Sequence, residues 1–472
     1  AQSYRVRIDA RAQSVSYRGL QPDSVLRTEA VAAPGGGFET SDGFAVQCSA
    51  AAWCFYFRPG DELRQVPVNA SANAMLWGLG LRGLTIHLTA RLTGDLSSGA
   101  DFPGTEPNGQ LIEGYAEYNR SFYSLRGGRL LLSSRLEPFG FDGLWARARW
   151  DRTALEGTLY GGWGLGQAAV VPVTSAFLTP LDDFRPADRQ IVFGGEASWR
   201  PGGVELRGEY RREVDPETDH FVSERAALSA SGRPAPWLVA NGGIDYNIAE
   251  GNWGSADANL TYLQRRFSVT LGGRRHRPYF SLWTLWGAFS PVPWNGVNAS
   301  AQVQATSWLS LRARGERYWY EAAEVNTGFV PDLEDDGWRL GLGGTAVMGR
   351  RWSFTGGYAV EFGPGASVRS FDGTLTYSPS GRLMLSAYGG TFDRPLELRF
   401  YDAELTYLGA RGEVEISSAW RVWGDAGWYD DQRERPDPAA SAWDQVRLRG
   451  GISLTFGTNA DRLPLPPARR TP

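Results

Sequence analysis

Residues 190–213 read QIVFGGEASWRPGGVELRGEYRRE, and the fold follows from how that stretch alternates. Its first arm sets Ile191, Phe193, Gly195, Ala197 and Trp199 against Gly194, Glu196, Ser198 and Arg200. Pro201-Gly202-Gly203 then reverses the chain. Proline fixes φ at the first central position of a tight turn and glycine accepts the positive φ of the second. The return arm opposes Val204, Leu206, Gly208 and Tyr210 to Glu205, Arg207, Glu209 and Arg211. Period-two alternation on both sides of a turn predicts a long amphipathic β-hairpin. What it leaves undecided is which face is wet.

The same grammar runs through most of the chain. Tyr4, Val6, Ile8, Ala10 and Ala12 oppose Arg5, Arg7, Asp9, Arg11 and Gln13 in a first strand over 4–17. Leu84, Ile86, Leu88, Ala90 and Leu92 alternate with Thr85, His87, Thr89, Arg91 and Thr93. Leu144, Ala146, Ala148 and Trp150 alternate with Trp145, Arg147, Arg149 and Asp151, and Arg152-Thr153 turns the chain into Leu155, Gly157, Leu159 and Gly161. Tight turns also fall at Arg233-Pro234-Ala235, Gln264-Arg265, Ser307, Gly349-Arg350, Pro379-Ser380-Gly381 and Ser417-Ser418. The links between these hairpins are longer, around 94–109, 164–189, 277–293, 320–337 and 429–442. Short turns on one side and long loops on the other are the layout of an outer-membrane barrel. About 22 arms (roughly 20 to 24), at roughly 10 to 12 residues each, suit tilted strands crossing the hydrocarbon layer. Residues 19–68 are polar and Gly-rich with little periodicity and read as one long extracellular loop.

The totals agree with that layout and remove other classes. A mean hydropathy of -0.34, with no apolar run near 20 residues, excludes helical membrane spans but leaves a spanning barrel open. A net charge of -4 points to no nucleic-acid partner. All 48 basic residues are arginine. Base-composition bias accounts for that, although arginine also makes bidentate anion contacts that lysine makes less well. Cys48 and Cys54 share one loop, where a small disulfide ring would close in an oxidising compartment. Ala1-Gln2-Ser3, followed at once by a strand, looks like the mature end left by a signal peptidase.

Arm length and the cost of charge decide the wet face. Sandwich and propeller strands run to about five or six residues, roughly half the length of these arms. The apolar faces are thinned with Gly and Ala, which a dry inter-sheet core would not tolerate and lipid fills. The opposite faces carry Glu196, Arg207, Glu209, Arg211, Arg312, Arg314, Glu316, Arg447 and Arg449. One Arg against lipid at the midplane costs about 2–4 kcal/mol. Several per hairpin would be prohibitive, so these residues, with Arg91, Arg147 and Arg149, are expected to line a lumen. Trp150, Trp199, Trp308, Trp352 and Trp420 flank turns, while Trp319, Tyr320, Trp428 and Tyr429 lie at the loop side, as two interfacial aromatic belts would require.

On these features the chain resembles the bacterial outer-membrane β-barrels in the broad porin and channel sense. Barrels of that class end their last strand on an aromatic residue, and Val446, Leu448, Gly450, Ile452, Leu454 and Phe456 have that spacing. The chain departs from the pattern in continuing through a Pro-rich tail, 457–472, read as a periplasmic extension. A wide barrel with no recognisable plug is also similar to the sheath of porin–cytochrome conduits, in which a separate multihaem cytochrome fills the lumen.

Chemistry is sparse. The histidines are His87, His220 and His276, and nothing spaces a Ser, a His and a carboxylate together, so no enzyme is expected. No haem-attachment motif or metal-ligand spacing occurs, and no cofactor is expected. Asp332, Glu334, Asp335 and Asp336 form an acidic loop that reads as solvated, with calcium or lipopolysaccharide bridging as the sharper alternative. Arg274, Arg275, His276 and Arg277 pose the mirror question for lipid phosphates. Two loops are too apolar to extend into water: 168–181, with Val171, Phe177 and Leu178, and 279–294, with Trp283, Trp286 and Phe289. Three readings stay open for them: folding into the lumen, packing on a partner, or, for the second, a further strand. The sequence thus predicts an all-β, single antiparallel up-and-down transmembrane barrel over 1–456 in the bacterial outer membrane, in contact with lipid and lipopolysaccharide. Its expected role is a passive pore for small, anionic solutes, with the cytochrome sheath as the alternative.

Overall fold

The computed structural model describes residues 3–33, 37–48, 52–97, 109–165, 190–216, 221–277, 293–321, 336–363, 369–393, 403–433 and 442–458. These form 26 strands and no helix. Four of the strands belong to an excursion after the first, and the other 22 make one antiparallel sheet in which each strand pairs with its neighbours in sequence. The sheet closes on itself because Ser3–Leu26 pairs with Pro67–Trp77 on one edge and with the last strand, Trp443–Gly457, on the other. Ala10, for example, lies between Ala70 and Ile452. No edge is left open, which is the condition for a sheet to cross a bilayer.

Solvent exposure inverts the usual pattern, and that fixes the two faces. Leu144 and Leu159 are each 71% exposed, whereas Glu209 is 8% and Arg211 2% exposed. In a soluble domain the leucines would be inside and the charges outside. Here the outer face is hydrocarbon-like and the charges line the lumen wall. Trp150, Trp199, Trp352 and Trp420 stand on the outer face at turn-side strand ends, and Trp163, Trp319, Trp338 and Trp428 at loop-side ends. Tyr320 and Tyr429 do not join that second belt. Each directly follows an outward Trp, so the pleat turns it inward, and Tyr429 stacks on Tyr407.

The opening hairpin forms as Ile191–Trp199 and Val204–Val214, with Glu196 opposite Glu209 and Ser198 opposite Arg207. Its turn differs in detail from the expected one. Val204 N–H donates to Pro201 O, and the two central residues are Gly202 and Gly203, both at positive φ (56° and 91°). That geometry matches the right-handed twist of the flanking strands, and only glycine enters it at no cost. Another expected turn, Arg233-Pro234-Ala235, is the end of a strand, Phe221–Ala235. A register shift between Gly232 and Ala235 absorbs the proline, and the chain reverses at Pro236-Trp237.

Residues 19–68 are more ordered than a loop. The first strand continues past the barrel to Leu26 and pairs with Trp53–Gln65, making a hairpin that stands on the loop side. The pattern was illegible because the pairing register slips between Arg18 and Leu20, shifting one arm's alternation against the other's. Cys48 and Cys54 are cross-strand neighbours joined by a disulfide. Beneath them Phe44 is buried and packs on Tyr56, whose phenol donates to Asp23. Burial first, and then the Asp23 carboxylate, raise the Tyr56 pKa above the ordinary phenol value.

Candidate functional site

The candidate site is the inner wall. Glu205, Arg207, Glu209, Arg211 and Glu213 follow one another on the inner face of Val204–Val214, so period two turns a sequence repeat into a ladder of alternating charge. Arg207 reaches Glu196 on the neighbouring strand at 3.2 Å, and Arg211 reaches Glu213 at 3.2 Å. Farther round, Arg147 and Arg149 both face Glu156, at 4.0 and 3.0 Å. Arg449 is held by Asp425 at 2.7 Å. Glu316 is shared by Arg274 at 2.6 Å and Arg339 at 3.5 Å.

Several inward guanidiniums stand apart: Arg91, Arg312, Arg314 and Arg447, like Arg5 and Arg11 on the first strand, have no carboxylate partner among the described residues. Arg91 donates to the Gln110 side chain, at 2.6 Å. Arg312 and Arg314 lie opposite Gly343 and Gly341, where a Cβ would come within 2.6 and 2.7 Å of the respective Nε atoms. The missing side chains leave room for both guanidiniums to lie along the wall. Arg447 stacks on Tyr429, 4.6 Å from the ring centre, with its Nε buried and unpartnered.

One short link folds into the lumen. Residues 133–138 join Tyr123–Leu132 to Phe139–Trp150 on the loop side and are fastened to strands well along the wall. The Leu136 carbonyl accepts from Arg211 at 2.5 Å and from Arg225 at 3.2 Å. Arg135 donates its backbone N–H to Glu209 and pairs with Asp257 at 2.7 Å. Glu137, at a positive φ of 76°, pairs with Arg225 at 3.4 Å. Leu136 is 1% exposed. Behind the link, Leu130, Phe139, Phe141, Trp145 and Val192 form an apolar cluster on the inner wall. Below it lies a polar cleft of about 500 Å³ whose lining includes Ser134, Arg207, Ser229, Asn241 and Asp257.

The sequence pattern did not flag this link, its Arg135, or the residues Arg225 and Asp257 that hold it. The one signal available was an Arg-Leu pair in a six-residue connection, too short to have a core of its own. The loop residues expected to narrow the passage or meet a partner, Val171, Phe177, Leu178, Trp283, Trp286 and Phe289, lie outside the described residues, as do Asp332, Glu334, Asp335 and 459–472. His87 stacks on Tyr115 and approaches Glu117 at 3.6 Å. Ser255 Oγ lies 3.4 Å from His276 Nδ1, but Asp245 is engaged with the Ser255 backbone N–H.

No protein-family model matches the chain, and no curated protein sequence does. Solved structures do. The ferric enterobactin receptor of Pseudomonas aeruginosa, in a mutant form with enterobactin bound, aligns with a TM-score of 0.51 at 11% identity, over 96% of this chain and 81% of that one. The copper transporter OprC aligns over 96% and 81% at 11% identity with a TM-score of 0.49. The FrpB iron transporter of Neisseria meningitidis covers the same shares at 10% identity, also at 0.49. At such identity the likeness is one of fold and rests on the first structure. The chain is a closed 22-strand antiparallel barrel with the fold of outer-membrane barrels such as that receptor.

Proposed function

We propose that the chain forms a passive passage through the outer membrane for small anionic solutes. The observation that supports this is the set of inward guanidiniums without carboxylate partners among the described residues, Arg91, Arg312, Arg314 and Arg447. The other inward charges named above are paired and largely cancel, and the unpaired guanidiniums outnumber inward carboxylates such as Glu113 and Asp372 that lack a cation partner among the described residues, a balance that favours anions. In a planar bilayer under a salt gradient, the purified protein should give steady conductance with a reversal potential on the anion side. Arg312→Gln/Arg314→Gln/Arg447→Gln should move that potential towards zero or beyond. An unchanged potential in the variant would sink the anionic reading.

A second reading, a sheath around a separate multihaem cytochrome, is favoured by width. Barrels of about 22 strands in outer-membrane transporters normally have a filled lumen. Among the described residues the link 133–138 enters this one. The same recording separates the two: little conductance, together with co-purification of a haem-staining subunit, supports the sheath and excludes the open passage.

A further inference from the structure

Near the loop-side mouth the inner wall carries a row of aromatic rings that ends on a guanidinium. Phe392, Tyr407 and Tyr429 stand at inward positions on three successive strands, Leu383–Asp393, Ala403–Ser417 and Trp420–Arg433, with Tyr407 directly opposite Tyr429. The ring centres follow one another at 5.9 and 6.0 Å, with planes 18° apart at both steps. Arg447, on the next strand, holds its guanidinium 4.6 Å from the centre of the Tyr429 ring. Glycines make room for this row. Tyr407 faces Gly390 across the strand pair, where a Cβ would come within 2.8 Å of the phenol oxygen, and a Cβ at Gly427 would come within 2.9 Å of the Tyr429 ring. The two rings therefore lie along the wall, and Phe392, Tyr407, Tyr429 and Arg447 all stay half-buried.

The other polar groups around the row are engaged with one another. Tyr388 donates to Asp425 at 2.8 Å, and Arg449, held by Asp425, also donates to the hydroxyls of Tyr388 and Tyr429 at 3.1 and 3.2 Å. Arg447 has no such commitment: it has no carboxylate partner among the described residues, and its Nε is buried and unpartnered. Elsewhere on the inner wall arginines also lie against rings, but their charge is neutralised. Arg274 and Arg339 at Trp294 pair with Glu316, and Arg126 at Trp145 pairs with Glu117. Asp372 stands at the far end of the row, opposite Gly390, so an anion is repelled there and drawn towards Arg447.

Rings laid along a wall take a flat ring by stacking, and a free guanidinium takes a carboxylate by charge-assisted hydrogen bonds. A saccharide could stack on the same rings, but it would find the neighbouring hydrogen-bonding groups already taken. We propose that Phe392, Tyr407, Tyr429 and Arg447 form an entry site for aromatic carboxylates, with the ligand ring on Phe392 and Tyr407 and its carboxylate on Arg447. This names a substrate class for the anion passage proposed above and rests on that reading.

The test is equilibrium dialysis of the purified, detergent-solubilised protein against cinnamate, cinnamamide and hexanoate, with detergent alone as the blank. Cinnamate should bind about tenfold more tightly than either the neutral ring or the ringless anion. Phe392→Leu/Tyr407→Leu keeps the wall apolar and should raise the cinnamate dissociation constant about fivefold while leaving that of hexanoate unchanged. Tyr407→Phe keeps the ring and should keep wild-type affinity. Arg447→Gln should raise the cinnamate constant about tenfold and leave that of cinnamamide unchanged. Should the double variant not fold, Phe392→Leu carries the same test at about twofold. Equal wild-type binding of cinnamate and hexanoate, an unchanged cinnamate constant in the leucine variants, or an equal loss in the lumen-facing control Arg312→Gln/Arg314→Gln would overturn the proposal. Dialysis needs no conductance, so the two readings fail separately. Cinnamate binding without anion conductance in a planar bilayer would sink the passage and keep the site, whereas anion-selective conductance without a preference for cinnamate would sink the site and keep the passage.

Discussion

Leu159 and Thr158 sit side by side in mid-strand and belong to different solvents. Leu159 is 71% exposed towards lipid, and Thr158 turns inward opposite Glu196. Leu159→Arg should destabilise the barrel by about 2–4 kcal/mol, while Thr158→Arg, with a carboxylate facing it, should cost little. Heat-modifiable gel mobility in detergent measures both, and equal losses would mean that the faces are misassigned. Arg211 makes the complementary case from the lumen. It is 2% exposed, bridges Glu213, and holds the Leu136 and Glu137 carbonyls. Arg211→Ala leaves a buried carboxylate short of its nearest cation and should cost about 3–5 kcal/mol in urea unfolding. At this scale the sequence was informative about direction and silent about partners. Alternation placed Glu196, Arg207, Glu209 and Arg211 on one face, because a side chain's face depends only on its parity. That Arg211 would grip a carbonyl 75 residues away is not a local property.

Among the elements, hairpins with tight turns were legible and the loop-side connections were not. The Pro201-Gly202-Gly203 reversal is encoded locally, since positive φ at two successive positions is open to glycine and few other residues. The link 133–138 carries no such signal: it is held by Arg211, Arg225, Glu209 and Asp257, on strands that follow it in the sheet and reach it across the lumen. Replacing 133–138 with a two-residue Asn-Gly turn should raise single-channel conductance by something on the order of twofold with the sign of selectivity kept. Unaltered conductance would show that the link does not narrow the path. The protruding hairpin predicts a different behaviour. Its arms pair over Val15–Leu26 and Trp53–Gln65, so Cys48→Ser/Cys54→Ser should leave barrel heat stability unchanged. The local loss of about 2 kcal/mol should appear instead as faster proteolysis of the excursion.

For the whole molecule, strand number and closure set the lumen. The count of about 22 was recoverable because each arm must be long enough to cross hydrocarbon and each must return, so turns and arms can be tallied along the chain. The outer-membrane setting was recoverable for an energetic reason, since repeated arginines on one face cannot meet lipid. By itself, then, the sequence determined a closed antiparallel barrel, its inner and outer faces and its two ends, all of which follow from period two and the cost of a charge in hydrocarbon. Only the tertiary structure decided which charges cancel. Pairing Arg207 with Glu196, or Arg449 with Asp425, depends on register between strands, and pairing Arg135 with Asp257 depends on a link reaching far round the wall. That Arg91, Arg312, Arg314 and Arg447 are left without a carboxylate among the described residues is likewise a matter of register and reach, because Coulomb attraction depends on distance in space, which parity along a strand does not specify.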